Sequence, residues 1–324
     1  MIETTSPADR TAGPTAAPTP VLTYGPVVLP VPGRPVDLHL RVSAPATGTD
    51  LPVILLSHGH GRANHLSSLD GYAPLADRWA EMGFVVLRPT HLSSATLSRR
   101  LAGHPAAPFF WRSRAEDMSR VLDGLDVLER EVPHLAGRLD RDAVAVAGHS
   151  LGGFTAALLL GARITDPDTG ERADLRDPRI GRGILLAAPG RGGDTLNGPM
   201  ADAAPYFRTI DFSTMTAPAL VVAGDQDDPR HFTDAGPDWH ADPYHLAPAP
   251  KTLLTVFGAE HLLGGIQGYD ASETTDENPA RVAAIARLGA AWLRSGFHPG
   301  DTAWRAARDA LTTGPDAVGR TTSK

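Results

Sequence analysis

Residues 142–154 read DAVAVAGHSLGGF. Ala143–Ala147 is a short apolar run of strand character, and Phe154–Leu160 reads as a buried helix. Between them lies Gly148-His149-Ser150-Leu151-Gly152, with a further Gly153. A strand that turns sharply into a helix around G-x-S-x-G lifts the central serine out at the sheet edge. Gly148 and Gly152 flank Ser150 because a β-carbon at either place would strike the neighbouring strand or helix. Ser150 then stands beside a helix N-terminus, whose positive end favours a developing oxyanion.

Outward from this stretch, strand-like and helix-like segments alternate. Leu51–Ser57 (LPVILLS) and Phe84–Leu87 (FVVL) are continuous apolar runs, as in strands buried on both faces. Ile184–Ala187, Leu220–Ala223 and Leu253–Val256 are similar but shorter. Tyr72, Leu75, Ala76, Trp79 and Met82 recur at helical spacing before Gly83. Arg112–Arg130 reads as one amphipathic helix, and Pro279–Arg294 as another, with Asn278 as its N-cap and Gly296 after its end. Val27–Leu29 and Val36–Arg41 suggest a leading antiparallel hairpin. Such alternation implies a mostly parallel sheet with helices on both faces. Residues 93–110, 164–179 and 189–215 are long, Gly- and Pro-rich connections. The expected organisation is a flexible tail over 1–20, one α/β domain over 21–298 and an extension over 299–324.

A serine hydroxyl needs a base, and the base needs an orienting acid. In this type of fold the order along the chain is serine, acid, histidine. After Leu220–Ala223 comes Gly224-Asp225-Gln226-Asp227-Asp228. The position three past the glycine selects Asp227, with Asp225 and Asp228 as alternatives. After Leu253–Val256 comes Phe257-Gly258-Ala259-Glu260-His261, which makes His261 the base. His245 is the runner-up, and His240 reads as an ordinary loop histidine. Two backbone N–H donors must meet the oxyanion. Leu151 supplies one; the other comes from the turn Ser57-His58-Gly59-His60-Gly61, from His60 in preference to Gly59. His58, His60 and His65 have no acidic co-ligands nearby, so no metal site is expected.

The 324 residues contain no cysteine, which excludes disulfides, thiolate metal sites and a cysteine nucleophile. A net charge of −7 without a basic block argues against nucleic-acid binding. No apolar run is long enough to span a membrane. The N-terminal stretch has no basic and apolar signal pattern, so a cytoplasmic location is expected.

The ordered set LLSHGHG (55–61), GHSLGG (148–153), GDQDD (224–228) and GAEH (258–261) resembles the α/β-hydrolase superfamily over roughly residues 36–295. The SHG turn followed by a helix and GFVVLRP is most similar to the group that includes chlorophyllases, dienelactone hydrolases and platelet-activating-factor acetylhydrolases. The resemblance implies an eight-stranded, mostly parallel sheet with a first antiparallel strand, and no cofactor. Leu151 stands where chlorophyllases carry arginine, and dienelactone hydrolases use the cysteine this chain lacks.

The expected activity is hydrolysis of a carboxylic ester through an acyl-enzyme, with a small neutral ester, lactone or polyester-like substrate. A thioesterase or small acyl-peptidase would use the same residues, and a ligand-binding protein could keep the fold without turnover. His91, Phe109, Trp111 and Leu262 are candidate substrate contacts. Phe110, Leu263 and Ile266 extend the same apolar wall.

Overall fold

The computed structural model describes residues 19–63, 66–269, 271–312 and 317–324. Residues 1–18 of the expected tail, and His65, lie outside them.

In chain order the elements begin with strands β1 (Val21–Leu29), β2 (Leu38–Pro45) and β3 (Leu51–Ser57). Helix α1 (Ala73–Glu81), strand β4 (Val85–Pro89) and the short α2 (Ser98–Leu101) follow, then α3 (Trp111–Asp123) and α4 (Leu125–Glu131). Strand β5 (Leu139–His149) leads into α5 (Leu151–Leu159), and a small hairpin pairs β6 (Arg163–Thr165) with β7 (Arg172–Asp174). Then come β8 (Arg182–Leu186), β9 (Ala219–Gly224), α6 (Asp242–Leu246) and β10 (Lys251–Val256). Helices α7 (Pro279–Phe297) and α8 (Ala303–Thr312) precede the last strand, β11 (Gly319–Ser323).

One sheet runs β1-β2-β4-β3-β5-β8-β9-β10-β11. Pairing from β4 through β10 is parallel; β1, β2 and β11 are antiparallel to their neighbours. This is the α/β-hydrolase fold. Among the described residues the sheet has nine strands instead of the expected eight. The ninth comes from the presumed extension: β11 pairs with β10, and α8 packs on α7. Its sequence, GRTTS, has no apolar run because an edge strand need not be buried on both faces.

Side-chain alternation divides the core. Val53, Leu55, Val144 and Val146 face α3–α5, whereas Ile54, Leu56, Ala145 and Ala147 face α1 and α7. Burying each large aliphatic side chain is worth about 2 kcal/mol. Two helix boundaries differ from expectation. Gly124 divides the 112–130 stretch into α3 and α4, and its lack of a side chain admits Leu29, 2.8 Å from where a β-carbon would sit. Gly296 does not stop α7; it makes room for Arg182, whose Nη2 donates to the Gly296 carbonyl at 2.8 Å.

The parallel strands all point their carboxyl ends to one side. Ser57 ends β3, Ser150 follows β5, Asp227 follows β9 and His261 follows β10. Ligands in open parallel sheets bind at that edge.

Candidate active site

Ser150 has φ +54° and ψ −122°, a left-handed conformation that only a tightly supported turn holds. Its N–H donates to the Leu186 carbonyl at 2.9 Å, and its carbonyl accepts from Phe154, opening α5. A β-carbon on Gly148 would lie 2.0 Å from the Gly152 oxygen, and one on Gly152 would lie 2.0 Å from the Ser57 oxygen. The elbow therefore sits directly on the end of β3.

Ser150, His261 and Asp227, distant in sequence, meet here. His261 Nε2 lies 2.9 Å from Ser150 Oγ, and Nδ1 lies 3.0 and 3.1 Å from the two Asp227 oxygens. With Nδ1–H donated to the carboxylate, Nε2 is free to accept the serine proton. Burial alone would lower the basicity of His261. The Asp227 charge and hydrogen bond, with Asp276 behind them, outweigh it and raise the histidine above its ordinary value. Burial likewise pushes Asp227 up, but His261 and His240 hold it far below the carboxylate range. The two competing carboxylates are engaged elsewhere. Asp225 accepts from the Gly258 N–H at 2.7 Å, and Asp228 pairs with Arg230.

The cavity in front of Ser150 measures about 620 Å³. Phe232, Trp239 and Leu262 give it apolar surface, while Asp228, Arg230, Glu260 and Glu273 bring charge to its lining. Charged and apolar side chains therefore share this lining. Of the candidate contacts, only Leu262 lines this cavity. Leu263 and Ile266 are buried in the core beneath. Phe109 stacks edge-on against His60 and Tyr206, and Trp111 packs on the same tyrosine. Phe110 and His60 line a separate cavity of about 350 Å³.

His91 is fully enclosed and belongs to a second Ser-His-Asp network. Ser57 Oγ lies 2.9 Å from His91 Nε2, and His91 Nδ1 lies 3.1 Å from Asp117 Oδ2. All three residues are 0% exposed. Arg34 holds Asp117 through two hydrogen bonds. Arg114, also buried, donates to Ser57 Oγ at 3.1 Å, to Ser93, to Thr155 and to the His58 carbonyl. His58 Nδ1–H donates to the Gly59 carbonyl, while its Nε2 accepts from the His91 N–H. The network thus grips the turn that follows β3. Burial, with Arg114 and Arg34 nearby, drives His91 well below the usual imidazole value.

A third chain of hydrogen bonds joins the two regions. The Gly59 N–H donates to Tyr72 Oη at 2.9 Å, Tyr72 O–H donates to His149 Nδ1 at 2.8 Å, and His149 Nε2–H donates to the His261 carbonyl at 2.7 Å. The helical spacing of Tyr72 predicts a buried face only; its hydroxyl bridge, formed from the N-cap position of α1, has no local signature. His240, expected as an ordinary loop histidine, is instead 2% exposed and lies against Asp227. Asp227, His240 and His261 place three donor atoms within 4.8 Å of one another, a set of the kind that binds transition metals.

An α/β-hydrolase fold with Ser-His-Asp relays at the carboxyl ends of its strands defines a serine hydrolase, with the chemistry of ester hydrolysis. The chain matches no family model and no curated protein. Among the described residues, no helix is long and apolar enough to cross a membrane.

Proposed function

We propose that the protein hydrolyses small carboxylic esters with Ser150 as nucleophile, His261 as general base and Asp227 as its orienting acid. The observation that carries this reading is exposure. The His261 side chain is 43% exposed and borders, with Ser150, the 620 Å³ cavity, whereas Ser57 and His91 are sealed. A carbonyl carbon must come within about 3 Å of the attacking oxygen. Electrostatics favours the same choice. The base must become a cation, which Asp227 promotes at His261 and which Arg114 and Arg34 oppose at His91.

Ser150 attacks the ester carbonyl as its proton passes to His261. The N–H groups of Leu151 and His60 receive the oxyanion; the Gly59 N–H is committed to Tyr72. His261 then protonates the leaving alcohol, and a water molecule repeats the sequence on the acyl-enzyme. The substrate is a neutral ester or lactone. Its apolar part contacts Phe232, Trp239 and Leu262, and its polar part meets the charged lining. The resemblance to the chlorophyllase, dienelactone-hydrolase and acetylhydrolase group supports this class.

A fluorophosphonate probe with peptide mapping tests the assignment. Labelling of Ser150 is expected, and Ser150→Ala should lower p-nitrophenyl ester turnover by about 10³-fold or more. Labelling at Ser57, or retained turnover in a folded Ser150→Ala protein, would refute it.

A further inference from the structure

We propose that Arg114 is a positioning residue for ester hydrolysis: its buried guanidinium fork joins the two backbone segments that supply the oxyanion hole. The inference rests on the assignment of Ser150, Leu151 and His60 above.

Arg114 projects from α3 and is 0% exposed. Its fork reaches both segments at once. On one side, Nη2 donates to the His58 carbonyl and to Ser57 Oγ, and Nη1 donates to Ser93 Oγ. On the other, Nε donates to Thr155 Oγ1 at 3.0 Å, and that hydroxyl donates onward to the Leu151 carbonyl at 3.0 Å. Thr155 is also 0% exposed, so this relay lies out of solvent.

These bonds set the direction of the two N–H groups. The His58–Gly59 peptide is held at both ends, its carbonyl by Arg114 and its N–H by Tyr72 Oη. The next peptide, Gly59–His60, has its carbonyl fixed by His58 Nδ1 at 2.6 Å. A planar trans peptide points its N–H away from its carbonyl, so the His60 N–H is aimed by the same set of bonds. Leu151 opens α5, and the bond from Thr155 ties down that first turn.

Charge argues for the same role. The four oxygens to which Arg114 donates are neutral. Asp117, three residues along α3, is engaged by Arg34, Arg120 and His91 instead. A buried cation held by neutral acceptors is costly to keep. Negative charge that develops on the substrate oxygen during attack is what such a cation favours.

The test compares Thr155→Val, Thr155→Ser and Arg114→Lys with the wild type on a p-nitrophenyl ester, with circular dichroism to establish folding. It adds inhibition by a trifluoromethyl ketone and by the matching methyl ketone. In the trifluoromethyl adduct Ser150 Oγ bonds to the carbonyl carbon, the π pair moves to the oxygen, and the serine proton passes to His261. That adduct carries the oxyanion; the methyl ketone binds without it. In Thr155→Val, kcat should fall about tenfold with KM nearly unchanged. Ki for the trifluoromethyl ketone should rise by the same factor, and Ki for the methyl ketone should hold. Thr155→Ser restores the hydroxyl and should recover most of both. Arg114→Lys keeps the charge but loses the fork, and should lower kcat about 10²-fold; it carries the test if the valine protein fails to fold. Folded variants with the wild-type trifluoromethyl ketone Ki would overturn the proposal, whether or not kcat falls, as would equal weakening of both ketones. Fluorophosphonate mapping of the wild type separates the two claims. A label on Ser57 refutes the underlying assignment, and a label on Ser150 with unchanged trifluoromethyl ketone Ki in the variants refutes the role of Arg114 alone.

Discussion

The Tyr72 hydroxyl lies 2.8 Å from Nδ1 of His149, the residue immediately before the elbow serine. Through this bond the turn after β3 and the backbone of His261 are joined to one buried imidazole. Tyr72→Phe removes the central link and leaves the Gly59 N–H and His149 Nδ1 without their partner. A loss of about 1–3 kcal/mol in unfolding free energy is expected. Denaturant titration measures it, and steady-state kinetics should show kcat reduced with KM little affected.

Ser57→Ala tests the sealed network. If its purpose is to hold the turn after β3, esterase activity should stay within about tenfold of wild type while stability falls by about 1–3 kcal/mol, since Arg114 and His91 lose a buried partner. Loss of fluorophosphonate labelling in a protein of unchanged melting temperature would contradict this.

Gly152→Ala should damage the site more than most catalytic-loop changes. The added carbon would meet the Ser57 carbonyl at 2.0 Å, backbone against backbone, and the elbow must shift. A displacement near 1 Å costs about 10²-fold in rate. Gly103→Ala, with no atom within 4 Å of the new carbon, is the control and should be neutral in both activity and melting temperature.

The pH response has two parts. His261 titrates above the ordinary imidazole value, so kcat/KM should fall as pH drops through a midpoint above 6.5. His58, His60, His91 and His149 are lowered, chiefly by burial. Below about pH 6.5 the unfolded chain takes up protons at these rings that the native state refuses, so stability decreases with falling pH. His261, raised by Asp227, works in the opposite sense to these four. Melting temperatures from pH 8 to 5 should therefore decline, and a flat profile would contradict the burial of the four rings.

The elbow and its two partners were legible because each follows a short apolar strand, a local pattern that survives without knowledge of packing. Tyr72, His240 and the Ser57–His91–Asp117–Arg114 network were not, because their partners lie far away in sequence. One signal was available. Arg114 shares a helical stripe with Met118 and Val121, and a charge on an apolar stripe implies a buried partner. Strand β11 has no sequence signature, because Thr and Arg at a sheet edge carry no hydrophobic alternation.

The contact of Gly152 with Ser57 binds the floor of the pocket into one unit, so neither half can be altered without disturbing the other. The lining at Arg230, His231, Glu260 and Glu273 lies outside that contact. A mutational library aimed at new substrates should therefore yield altered selectivity when it randomises those four positions, and mostly inactive clones when it samples residues 57–61 or 148–153.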